Sequence, residues 1–141
     1  MTVESIPVAA ADPSLVVEQM AALRAGVALL AMVDGQAEVE LSVSSFRTPS
    51  FELLELSVQV SARPPRWGAG ERDAGRLHGM RVLAEILGLS VDVYDDPETS
   101  VAHLGADTRI AGVPVRVWTF LSDPDVVAAA HLSFPAVGGS R

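Results

Sequence analysis

Apolar and polar residues follow one another with two different periods along this chain, and the changes of period divide it into elements. Val16, Met20, Leu23, Val27 and Leu30 recur at steps of four and three, which places them together on one helix face, expected to point at the core. Asp12 is suited to cap the start of that helix, and Pro13 to its first position, where the missing N–H costs nothing. Asp34-Gly35 ends it. Val27 to Val33 is apolar all round and also fits a strand paired through Asp34-Gly35 with the residues that follow.

The period then drops to two. Val39, Leu41 and Val43 alternate with Glu38, Glu40, Ser42 and Ser44, and Leu54, Leu56, Val58 and Val60 alternate with Glu55, Ser57, Gln59 and Ser61. Strands with one buried and one wet face belong to an antiparallel sheet covered on one side. Arg47-Thr48-Pro49-Ser50 is the turn between them.

Ala62 to Gly70 holds Pro64, Pro65, Gly68 and Gly70 and reads as a loop. A helical period returns from about Asp73 to Leu87, with Leu77, Met80, Leu83, Ala84 and Leu87 inward and His78, Arg81 and Glu85 outward. Gly88 stops it. Leu89 to Tyr94 is then a strand, with Asp95-Asp96-Pro97 as its turn. Ser100 to Ile110 and Val113 to Leu121 form a hairpin around Ala111-Gly112. Asp123-Pro124 opens a last helix, to about Leu132.

These elements predict an α+β fold: a mainly antiparallel sheet of about five strands with two main helices on one face, in the order α-β-β-α-β-β-β-α. The 141 residues, 49% hydrophobic, suffice for a single domain with a sizeable core. Residues 1–11 and 133–141 read as loose tails.

Composition narrows the chemistry. The chain has no lysine, no asparagine and no cysteine, which excludes Schiff-base and P-loop lysines, disulfides, thiolate metal sites and cysteine nucleophiles. A formal charge of -8 argues against nucleic acid and anionic membranes as partners, since both require a cationic surface. Met1 to Ala11 lacks the basic and apolar regions of a signal peptide. No apolar stretch reads as long enough to cross a bilayer. The expected location is cytoplasmic, or a virion if the chain is viral.

Six of the ten arginines nevertheless lie between Arg47 and Arg81. Arg63, Arg66, Arg72 and Arg76 surround Trp67 on the proline-stiffened loop and the start of the helix after it. Arginine and tryptophan dominate many interfaces, because the ring buries area at low entropic cost and the guanidinium bonds bidentately. This segment is therefore a candidate surface for a protein partner or a small anionic ligand, or else a lid folded over the helix end. Gly68-Ala69-Gly70 with Gly75 stands where a dinucleotide fingerprint would, but the third glycine is displaced and Glu71 and Asp73 would repel a pyrophosphate.

A second candidate is the final hairpin arm, where Val113, Val115, Val117, Thr119 and Leu121 alternate with Arg116, Trp118 and Phe120. If the first set packs on the helices, Trp118 and Phe120 lie on the open side of the sheet, joined by Tyr94 if its strand has the right parity. Exposed aromatics there would serve self-association or a partner. The alternative is a central strand covered on both sides. His78, His103 and His131 show no metal-like spacing, and no serine has a nucleophile-elbow context. Asp92, Asp95, Asp96 and Glu98 lack the alternation of a calcium loop, and read as a solvated turn organised by Asp95 or Asp96. No cofactor and no metal is indicated.

The run from Leu77 to Leu121, with a helix ending in Leu87-Gly88-Leu89, a short strand, and a hairpin containing Ile110-Ala111-Gly112-Val113-Pro114-Val115-Arg116-Val117, resembles small uncharacterised actinobacterial and actinophage α+β proteins. A genome rich in G and C, suggested by the missing lysine and asparagine, is consistent with such a source. The resemblance implies a fold but no activity, and the long Arg/Trp loop departs from the compact connection it implies. The reading that follows is a non-enzymatic protein-interaction or assembly protein, from a mobile element or phage, acting through a protein partner or self-association. Its rivals are a small hydrolase-like enzyme using histidine and carboxylates, and a regulatory domain binding a small anion.

Overall fold

The computed structural model describes residues 13–47, 52–62 and 69–136. Eight elements follow one another: α1 (Pro13–Val33), β1 (Glu38–Arg47), β2 (Glu52–Ser61), α2 (Ala69–Leu87), β3 (Asp92–Asp95), β4 (Ala102–Ile110), β5 (Val113–Leu121) and α3 (Pro124–Ser133). This is the expected α+β order. The strands form one sheet in the order β1-β2-β5-β4-β3.

The sheet is mixed rather than wholly antiparallel. β1 with β2, β3 with β4 and β4 with β5 are antiparallel, whereas β2 and β5 pair in parallel, with Leu56 opposite Val115 and Gln59 opposite Trp118. The cause is α2, which carries the chain back along the sheet so that β3 starts in the direction of β2. Two antiparallel steps then bring β5 alongside β2 in that same direction. Thr119, buried on the helix-covered face, donates its hydroxyl to the Val60 carbonyl at 2.8 Å, which satisfies its one polar group.

One face of the sheet carries the core. Leu56, Val58 and Val60 of β2, Val115, Val117 and Leu121 of β5, and Leu104 of β4 are buried beneath α1 and α2. Alternation along each strand thus predicted the buried set. α2 contributes Leu77, Met80 and Leu83 as expected, but it begins at Ala69 rather than Asp73, so Gly70, Glu71 and Arg72 are helical. Gly88 follows it with a φ of 65°, the left-handed value at which glycine ends a helix without steric cost. Asp123 caps α3 by accepting from the Val126 N–H at 3.2 Å. Ser133 ends α3 and accepts from Arg81 Nε at 2.8 Å, and Phe134 packs against the core.

α1 is helical through Val33, with Asp34 and Gly35 both at positive φ, so the strand alternative for Val27 to Val33 does not occur. Its orientation reverses the expectation. Ala22, Ala25, Leu29 and Val33 are buried, whereas Val16, Met20, Leu23, Val27 and Leu30 face outward. Small side chains bring the helix axis close to the sheet, and a bulkier stripe would hold it off. The expected cap, Asp12, lies outside the described residues.

α1 also corrects the reading of chain length against a bilayer. Ser14–Val33 is 20 residues long with a mean hydropathy of 1.6, enough by length and composition to cross a membrane. Here its inner face is built into the domain core.

Candidate functional site

Register along the five strands determines what the uncovered face of the sheet presents. Glu38, Glu40, Ser42 and Ser44 of β1 and Glu55, Ser57 and Gln59 of β2 occupy one half. Arg116, Trp118 and Phe120 of β5, His103, Gly105 and Asp107 of β4, and Asp92 and Tyr94 of β3 occupy the other. The aromatic residues therefore do gather on the side away from the helices, Tyr94 included.

They are held there by specific contacts. Trp118 is half-buried and donates its indole N–H to Ser57 Oγ at 2.9 Å, across the parallel pair. Arg116 pairs with Asp107 directly opposite on β4, at 3.0 Å. Its guanidinium crosses Gly105, where an added Cβ would come within 2.7 Å of Nη2. Glycine at this position is what lets the guanidinium lie flat on the sheet. The Tyr94 and His103 rings stand 6.4 Å apart at the edge. Together with Asp92 these residues line a cleft of about 380 Å³. It offers aromatic walls and a glycine floor, with Arg116, already paired to Asp107, and the Asp92 carboxylate in its lining, a set suited to a flat group.

The two candidate surfaces meet at one contact. Arg76, half-buried on α2, places its guanidinium 4.6 Å from the centre of the Phe120 ring and bonds Asp73 at 2.8 Å. Asp73 is buried and also accepts from the backbone N–H groups of Ser122 and Asp123, at 2.7 Å each. Arg76 and Asp73 thus lock the first turns of α2 to the end of β5, and Arg76 is a structural cation rather than a free anion receptor. Arg72 is half-buried in α2. Arg63, Arg66 and Trp67 lie outside the described residues.

All three histidines are exposed. His103 has Tyr94 beside it and lies close enough to Asp96 to act on its charge, while His131 Nε2 lies 2.8 Å from Asp95 Oδ2, both side chains about half exposed. Asp96 organises the turn before Pro97: its Oδ1 accepts from the Glu98 N–H at 2.9 Å. That bond, with the Thr99 side chain, holds its carboxyl below the ordinary aspartate range. Among the described residues no group of three or more histidine or acidic side chains could hold a metal ion.

The largest feature missed from sequence is the outer face of α1. Val17, Leu23 and Val27 are 65%, 60% and 68% exposed, and Val16, Met20, Leu30 and Met32 are exposed too. The signal is the apolar stripe of Val16, Met20, Leu23, Val27 and Leu30, whose periodicity defines a face without deciding whether that face points inward or outward. Comparison with protein-family models, curated proteins and solved structures finds no match for this chain.

Proposed function

We propose that this chain is a non-enzymatic interaction or assembly domain whose contact surface is the outer face of α1. The observation that carries this reading is the set of seven large apolar side chains, from Val16 to Met32, that α1 turns to solvent while burying Ala22, Ala25, Leu29 and Val33. Apolar surface of that extent costs free energy in water, which is recovered only when something covers it. The half-buried Trp118 and the Arg116–Asp107 pair supply a second, more polar surface on the opposite side of the sheet.

The reading is tested by purifying the tagged chain from producing cells under native conditions. A second chain, a further copy or another protein, is expected at stoichiometric yield, and Leu23→Glu is expected to lose it while keeping its far-UV dichroism. Recovery of the wild type as a lone monomer would remove the support for this function.

A regulatory role in binding a small planar ligand is the second reading, carried by the cleft between Tyr94 and Trp118 above Gly105. A thermal-shift series of small planar aromatic compounds against wild type and Arg116→Ala tests it. No shift with the wild type would count against it.

A further inference from the structure

We propose that the occupant of the α1 surface is a second copy of this chain, and that the two α1 helices pack antiparallel across a two-fold axis at Leu23. This rests on the assembly reading above and names its partner. Val16, Met20, Leu23, Val27 and Leu30 follow one another at steps of four, three, four and three. That is the a/d spacing of a helix seam, narrower than the face a helix shows to a globular core. Val16 and Leu30 lie seven residues either side of the row's middle member, and Met20 and Val27 lie three before and four after it, so the row is symmetric to within one residue. With Leu23 on the axis, Val16 meets Leu30 of the other copy and Met20 meets Val27, and each contact occurs twice, as an isologous interface requires.

Area and charge support the same occupant. The fractional exposures of the five seam side chains correspond to on the order of 450 Å² of accessible surface, a little over half of the roughly 800 Å² each partner contributes to a stable interface, so the dimer also draws on the surface beside the seam. The seam lies on the β1 side of α1: a Cβ at Gly26 would come within 3.2 Å of Leu41, and Leu30 and Val39 border a common cleft. Val39, Leu41 and Val43 are half-buried, so the apolar surface continues past the helix onto the edge strand. For a chain of charge -8, self-association is least opposed where acids are scarce, and between Ser14 and Val33 only Glu18 and Arg24 are charged. A helix lying in a membrane surface would instead carry a cationic flank.

The test is light scattering on the purified full chain. The wild type is expected at twice the single-chain mass at micromolar concentration, and Leu23→Glu at the single-chain mass with unchanged far-UV dichroism, since position 23 is exposed and does not hold the core. Because the chain has no cysteine, Leu23→Cys introduces a single thiol. Mild oxidation is expected to link it across the axis, whereas Glu85→Cys on the outer face of α2 is expected to stay unlinked.

A monomeric wild type overturns the proposal. So does a dimer that survives Leu23→Glu, because another face then holds it, or wild type that floats with phosphatidylcholine vesicles while Leu23→Glu does not. A purified monomer that still retains a different protein through Leu23 overturns the dimer but leaves the assembly function standing. A lone monomer with no retained chain defeats both.

Discussion

The guanidinium of Arg76 lies 4.6 Å from the centre of the Phe120 ring while bonding the buried carboxylate of Asp73. One side chain therefore closes a polar contact within α2 and an aromatic one between α2 and β5. Arg76→Ala is expected to cost about 1–3 kcal/mol of stability, from the lost ring contact and the carboxylate left without its cation. Arg76→Lys restores part of it, since an ammonium bonds Asp73 but covers the ring poorly. Urea unfolding of the three proteins checks the order, and equal midpoints would contradict it.

Asp73 is expected to matter more than Arg76. Its carboxylate accepts from two backbone N–H groups, those of Ser122 and Asp123, besides the arginine. Asp73→Ala removes the acceptor of all three part-buried donors and is expected to cost about 2–4 kcal/mol. Asp73→Asn keeps one acceptor and falls between. The measurement is the same unfolding series; a loss smaller than that of Arg76→Ala would show that water reaches those amides.

Gly105→Ala separates the open sheet face from the core. The new methyl would meet Arg116 Nη2 at 2.7 Å, but that atom is the end of a flexible and exposed side chain. The expected outcome is a displaced guanidinium, loss of the Asp107 pair, and a stability change within about 1 kcal/mol, because exposed ion pairs contribute little. NMR of the Arg116 side chain and of the Trp118 indole N–H reads the displacement. A large loss of stability would mean that the cleft is part of the core.

The turn at Asp96 is expected to be sensitive to acid. Its carboxyl is held below the ordinary aspartate range by the Glu98 N–H and the Thr99 side chain, so the folded state favours the charged form. That contribution is fully present above the unfolded value and is lost as pH falls through the lowered folded value. Carboxyl NMR is expected to show Asp96 titrating below the ordinary aspartate range, and faster amide exchange at Glu98 once it does. Titration of Asp96 in the ordinary range would contradict the assignment of that bond.

Most of the strand pattern was legible because a period of two admits one inward set. Leu54, Leu56, Val58 and Val60 had nowhere to go but the core, and the opposite parity placed Trp118, Phe120 and Tyr94 together on the open face. The parallel pairing of β2 with β5 was not legible, since alternation describes a strand's faces and not its neighbours. The Arg76–Phe120 contact was equally hidden, because it joins residues of two elements that only the crossover brings together.

α1 marks the boundary between the two kinds of information. Its sequence determined a helix from Pro13 to Val33, an apolar row at steps of four and three, and a second row of Ala22, Ala25, Leu29 and Val33 beside it. Hydrophobicity alone favours burying the bulkier row. Only the tertiary structure decided that the smaller row faces inward, because a close-packed interior accepts the side chains that fit the distance between helix and sheet. The larger row was thereby left at the surface, where the proposed partner covers it.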